Sequence, residues 1–206
     1  MLNWIKNHLN TLRDLQMNAL VADYQSQTLT IDEGFKQSIE YIKSIRERHT
    51  KLMIIGNGGS AGIASHLAID FSKNGRLPAM AFNDPSALTC LGNDYGYEHI
   101  FAKQIEFHAR KDDVLIAISS SGKSINILNA VAAARKIGCQ VITFSGFQAN
   151  NPLSKLGDVN FYVDSKEYGF VEVSHVALLH SILDYILEEE HGQIKTSTHS
   201  TLAAVE

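Results

Sequence analysis

Cysteine, proline, basic charge and long apolar runs are all scarce in this chain. Two cysteines among 206 residues, Cys90 and Cys139, make neither a disulfide framework nor a metal knuckle. No stretch approaches the ~20 uninterrupted apolar residues of a membrane span. The opening MLNWIKNHLNTLRDLQ carries a charged or polar residue at every turn, unlike a secretory signal. Lys and Arg number 18 against 22 Asp and Glu, a net −4, with no long basic run. That balance argues against a protein that grips nucleic acid by neutralising phosphates. What the chain does have is 45% hydrophobic residues, enough for a sizeable core and too many for disorder over most of its length. The expectation is a soluble cytoplasmic protein with free buried thiols and neither membrane nor nucleic-acid partners.

The apolar pattern divides the chain in two. Residues 1–25 read as an amphipathic helix, with Leu2, Ile5, Leu9, Leu12, Leu15 and Ala19 at three- and four-residue spacing. A second helix starts at Thr30, where Thr30-Ile31-Asp32-Glu33 has the form of a capping box, and runs to about Arg48. From residue 51 short apolar runs alternate with helical patterns. The runs are Lys51–Ile55, Ala79–Phe82, Val114–Ile118, Val141–Phe144 and Val159–Val163. Helical stretches fall at 60–73, 85–108, 124–137 and 171–190. Runs apolar on both faces fit strands covered by helices on each side. The expectation is a single α/β domain over residues 1–190: a three-layer sandwich around a five-stranded parallel sheet, with two N-terminal helices outside it. Residues 191–206 lack periodicity and read as a loose tail.

Ligands of parallel α/β sheets bind at the carboxyl ends of the strands. Two loops stand there. Gly56-Asn57-Gly58-Gly59-Ser60-Ala61 follows the first strand and opens a helix, so its backbone can approach an anion and its helix end supplies unpaired N–H groups. The spacing is neither the GxGxxG of a dinucleotide fold nor a P-loop, and a plain tight turn would look similar. Ser119-Ser120-Ser121-Gly122-Lys123-Ser124 follows the third strand, and its hydroxyls can surround a phosphate with neutral donors. Lys123 either adds charge there or points to solvent. A third segment, Asn93-Asp94-Tyr95-Gly96-Tyr97, has turn-forming residues.

Taken together, Gly56–Ala61 with His66, Leu91–Tyr97 and Ile118–Ser124 resemble the sugar isomerase (SIS) domain family, and within it the phosphoheptose isomerases, over residues 30–190. The resemblance implies a flavodoxin-like fold, a homotetramer built through helical bundles, and aldose–ketose isomerisation of sedoheptulose 7-phosphate. The product, a heptose 7-phosphate, would supply lipopolysaccharide, capsule or a related glycan. It assigns phosphate binding to Ser119, Ser120, Ser121 and Ser124, and sugar contacts to Asn57, Gly58, Gly59, Ser60, Asn93, Asp94 and Glu172.

His66 and Asp70 share one helix face at i, i+4, while Glu172, His175 and His180 lie on the last helix. By spacing alone these are surface or core side chains. The resemblance implies instead one zinc ion per subunit, held by His66, Asp70, Glu172 and His180, with Asp70 and His180 as the acid–base pair. Asp70 and Glu172 stand where the family has Glu and Gln. Asn74 and Gly169 replace a family Arg and Asp. These changes leave open an isomerase acting on another sugar phosphate, and a non-catalytic adaptor like the SIS-type tetramer that binds the replication initiator.

Overall fold

The computed structural model describes residues 1–190 and Gly192; the expected tail, Gly192 apart, lies outside the described residues. Helix α1 (Leu2–Met17) leads to a hairpin of β1 (Leu20–Asp23) and β2 (Thr28–Leu29), and then to α2 (Ile31–Arg48). The remainder alternates: β3 (Leu52–Gly56), α3 (Gly59–Lys73), β4 (Ala79–Ala81), α4 (Pro85–Tyr95), a 3₁₀ turn (Tyr97–His99), α5 (Ile100–His108), β5 (Val114–Ser119), α6 (Ile125–Ile137), β6 (Gln140–Ser145), a second 3₁₀ turn (Pro152–Lys155), β7 (Val159–Tyr162) and α7 (Tyr168–Glu190).

The five expected strands form a parallel block in the order β7-β6-β5-β3-β4. The sheet has seven strands, because β1 adds antiparallel to β7 and β2 to β1. This corrects the reading of residues 1–25 as one helix. Ala19 does continue the helical spacing, but the chain leaves the helix at Asn18 and enters a strand with Val21 buried and Leu20 exposed. A four-residue strand carries too little alternation to stand out beside a helical repeat. The expected helix over 85–108 is likewise two helices, parted at Gly96, whose φ of +87° suits glycine and little else.

Alternating side chains of the inner strands feed two separate cores. Leu52, Ile54, Ile116, Ile142 and Phe144 pack under α2, α3 and α7, whereas Met53, Ile55, Leu115, Ala117 and Val141 pack under α5 and α6. Every residue of β3 and of β5 is buried, which is why these strands read as continuous apolar runs. The capping box at Thr30 is present: Thr30 Oγ1 accepts from the Glu33 N–H at 3.2 Å, and the Thr30 N–H donates to Glu33 Oε2 at 2.7 Å. Helix α7 is long and apolar enough to cross a membrane by length and composition, yet its apolar face, including Val171, Leu179, Ile182 and Ile186, lies in the core.

Strand order locates the site. The chain passes from β3 outward to β4, then returns to β5 on the other side of β3. The crossover after β3 therefore runs on one face of the sheet and the helix after β5 on the other. Their loops diverge and open a crevice at the carboxyl ends of β3 and β5, the switch point of a doubly wound sheet.

Candidate active site

The crevice is a cleft of about 250 Å³ lined by Asn57, Gly58, Gly59 and Ser60 on one wall and by Ser119, Ser120, Ser121 and Ser124 on the other. Tyr168 and Glu172, from the start of α7, close it. A larger groove of about 780 Å³ runs between α2 and α7, but its ionic walls are Lys36, Lys43, Glu40, Glu47 and Glu189, away from the strand ends. The smaller cleft carries the convergent donors.

Two helix N-termini face it without side-chain caps. Gly58 precedes α3 and has no side chain to cap with, and Ser124 precedes α6 but makes no capping bond. Elsewhere α2 and α4 are capped by Thr30 and Asp84. The free N–H groups and positive dipole ends are thus left for an anion. Ser120 Oγ is buried in the cleft wall without a hydrogen-bond partner, an arrangement that costs stability unless a ligand completes it. Ser119 Oγ lies 3.3 Å from Ser124 Oγ. Gly122, at φ +62°, makes the turn between them, and a Cβ there would strike Asn151. None of the lining residues is cationic. Lys123 turns away and donates to Gln148 Oε1 at 2.6 Å.

About 10 Å further along α3 lies a second constellation. His66 Nε2 stands 3.0 Å from His180 Nε2, and Asp70 Oδ2 stands 3.4 Å from the first and 3.8 Å from the second. Helices α3 and α7 run parallel here, so that Gly59 meets Glu172 at the cleft end and His66 meets His180 two turns later. Two imidazole nitrogens and a carboxylate oxygen within 4.8 Å of one another can hold a divalent cation. The donor chemistry therefore fits a metal, with room for a further ligand.

Glu172 is not in that cluster. It precedes His180 by eight residues, about 12 Å of helix rise, and its carboxylate leans over Gly59 so closely that a Cβ there would collide with it. The structure thus unites three of the four expected metal ligands and leaves Glu172 among the cleft residues. Asn93 and Asp94 stay outside as well. They end α4, exposed, and hydrogen-bond to each other at 2.9 Å. Tyr97, three residues after Asp94, reaches the site in their stead through Asn57.

His175 is a core side chain. It is fully buried, with Nε2 donating to the Ser145 carbonyl at 3.1 Å, and burial pushes its pKa down to about 4. Two residues went unseen in the sequence, Tyr168 and Asn126, and Tyr97 was read only as part of a turn-forming segment. A tyrosine at a helix start and an asparagine within a helix carry no local signal of a site.

A doubly wound sheet with uncapped helix ends and a hydroxyl-rich loop at its switch point defines a phosphosugar-binding α/β domain. The family model of the SIS domain matches residues 18–146, and the chain belongs to that family, among the phosphoheptose isomerases. It is 37% identical over 165 residues to the phosphoheptose isomerase of Aliarcobacter butzleri, covering 77% of this chain and 85% of that one. The structure of phosphoheptose isomerase from Neisseria gonorrhoeae superposes with a TM-score of 0.74 at 30% identity, over 89% of this chain and 97% of that one. The enzyme from Francisella tularensis gives 0.76 at 27% identity, over 92% and 98%.

Proposed function

We propose that the protein interconverts sedoheptulose 7-phosphate and D-glycero-D-manno-heptose 7-phosphate, supplying heptose to lipopolysaccharide or capsule from the cytoplasm. The observation that carries this reading is the placement of an anion cleft and a His–Asp–His cluster at the two ends of one α3–α7 groove. A sugar chain with a terminal phosphate can lie between them, phosphate at Ser119–Ser124 and carbonyl end at His66, Asp70 and His180. Asn57, Gly58, Gly59, Ser60 and Glu172 then flank its middle, where the Glu172 carboxylate accepts hydrogen bonds from sugar hydroxyls.

Isomerisation through an enediol needs one proton moved between C1 and C2 and another between O1 and O2. Asp70 and His180 face each other at 3.8 Å and are suited to these transfers. One removes the carbon proton and returns it to the neighbouring carbon, while the other serves the oxygens. His66, 3.0 Å from His180, fixes the orientation of that ring. A zinc ion held by His66, Asp70 and His180, one per subunit, would polarise the carbonyl and stabilise the negative charge of the enediol.

The same reading includes a homotetramer. No residue of α1 is buried, and Leu2, Trp4, Ile5 and Leu9 are exposed along it. Ile69, next to Asp70, is 59% exposed, so the His–Asp–His end of the groove opens beside an uncovered apolar side chain. A neighbouring subunit would cover both.

One observation favours a second reading, an isomerase for a different ketose phosphate. Glu172 brings a carboxylate where the family has a neutral amide, and Gly169 leaves open space where the family has Asp. Incubating the pure protein with sedoheptulose 7-phosphate and zinc, with NMR detection of the aldose phosphate, decides between them. Turnover supports the first reading; turnover of another ketose phosphate alone supports the second. Sugar-phosphate binding with no turnover of any substrate would reject both in favour of an adaptor.

A further inference from the structure

We infer that Asn126 is a positioning residue, fastening the glycine loop to the serine loop through Asn57 so that the two walls of the phosphate cleft keep one spacing. The inference rests on the phosphosugar reading of that cleft. Asn57 and Asn126 form a reciprocal amide pair: Asn57 Nδ2 donates to Asn126 Oδ1 at 2.9 Å, and Asn126 Nδ2 donates to Asn57 Oδ1 at 2.9 Å. Asn57 Oδ1 also accepts from the Tyr97 hydroxyl at 3.2 Å. A single amide thus joins the loop after β3, the start of α6 and the 3₁₀ turn after α4.

The arrangement gives Asn57 a mechanical role beside its place in the cleft wall. Its oxygen already accepts two hydrogen bonds, and one of its two N–H groups is used. Asn126 is 2% exposed, out of reach of a ligand, and its amide is fully matched by Asn57 on that side. The β3–β5 ladder ends at Gly56 and Ile118. Beyond that point, among the described residues, the amide pair is the hydrogen-bonded link between residues 57–60 and 119–126. The loops leave opposite faces of the sheet, and besides this pair only the longer route through Tyr97 and the Glu98 carbonyl, which accepts from Asn129 Nδ2 at 2.9 Å, links Asn57 to α6. A mutually satisfied pair with one partner, Asn126, fully buried is stiff, and leaving that partner unmatched is unfavourable.

The test combines a ligand-free and a kinetic measurement on Asn57→Ala, Asn126→Ala, the double variant and Tyr97→Phe. Hydrogen exchange followed by mass spectrometry, on the full chain without ligand, should show faster exchange in both loops when Asn126 alone is changed. With sedoheptulose 7-phosphate, each alanine variant should raise KM about tenfold with kcat changed far less. The double variant should be no worse than the worse single, because the two residues act as one unit. Tyr97→Phe, which removes one exposed hydroxyl and leaves the fold intact, should raise KM by a smaller factor. Single effects that multiply in the double variant would overturn the inference. So would an Asn126→Ala exchange change confined to α6, or a loss falling on kcat alone. Wild-type protein that fails to turn over the sugar would refute the sedoheptulose 7-phosphate reading, while the exchange result would still decide the inference.

Discussion

The Nε2 atoms of His66 and His180 lie 3.0 Å apart although 114 residues separate them in the chain. At that distance one ring must donate and the other accept, or both lone pairs must meet a cation. Asp70 Oδ2 completes the triangle at 3.4 and 3.8 Å, so three potential metal donors converge on one point. If zinc occupies this site as proposed, His66→Ala should abolish its binding, measured by atomic absorption after gel filtration, and lower kcat at least a hundredfold. Retention of one zinc per subunit would remove His66 from the metal site.

Ser120 gives a prediction in which stability and binding part company. Its hydroxyl is buried and unpartnered without ligand, so Ser120→Ala should leave the melting temperature unchanged or raise it. The same change should raise KM for the sugar phosphate about tenfold with little effect on kcat, since the phosphate is remote from the reacting carbons. Ser121→Ala should act in the same direction. A fall in kcat at constant KM would contradict the assignment of this loop to the phosphate.

His175 sets part of the acid sensitivity of the fold. Burial holds its pKa at about 4, against about 6.5 when unfolded, so below pH 6.5 the unfolded chain binds a proton that the folded chain refuses. This contribution to stability is intact above pH 6.5. It falls as pH drops toward 4, by about 3 kcal/mol in all. Denaturant titrations at pH 7.5, 6 and 5 should show that decline. His175→Gln, which keeps a donor for the Ser145 carbonyl without titrating, should flatten it. An equal slope in the variant would assign the acid sensitivity to other groups.

How the sequence read depended on where each signal lives. The five parallel strands were legible because burial on both faces makes each an unbroken apolar run, and their ends were placed within about two residues. Hairpin β1–β2 was not, since Leu20–Asp23 is short and its predecessor Ala19 keeps helical spacing. The loops of the cleft were found because strand ends in such sheets bind ligands, and His66 with Asp70 because one helix face holds both. Asn126 and Tyr97 act through space on Asn57, and only the folded chain brings them there. Glu172 and His180 were expected at one ion, and the eight residues of helix rise between them, about 12 Å, already showed in the sequence that one subunit holds them apart.

Helix α1 should be the adhesive of the assembly. Replacing Leu9, 57% exposed on that helix, by glutamate should shift light scattering from the tetramer to a smaller species. Activity should fall with it if a neighbour covers the metal end of the groove. A monomer of 22.7 kDa for the unaltered chain would refute the tetramer.

The central claim is that the His66–Asp70–His180 cluster performs the isomerisation, and turnover of sedoheptulose 7-phosphate by Asp70→Asn and Asp70→Glu tests it most directly. Asparagine has nearly the same shape but cannot take a proton at neutral pH, and it holds a cation less well. The account predicts that Asp70→Asn abolishes turnover, by NMR, in a protein that keeps its melting temperature and assembly. Asp70→Glu, which restores the longer side chain of the family, should keep or raise kcat with this sugar. Asp70→Asn with intact turnover would contradict the mechanism, because the proton would then be carried by another group.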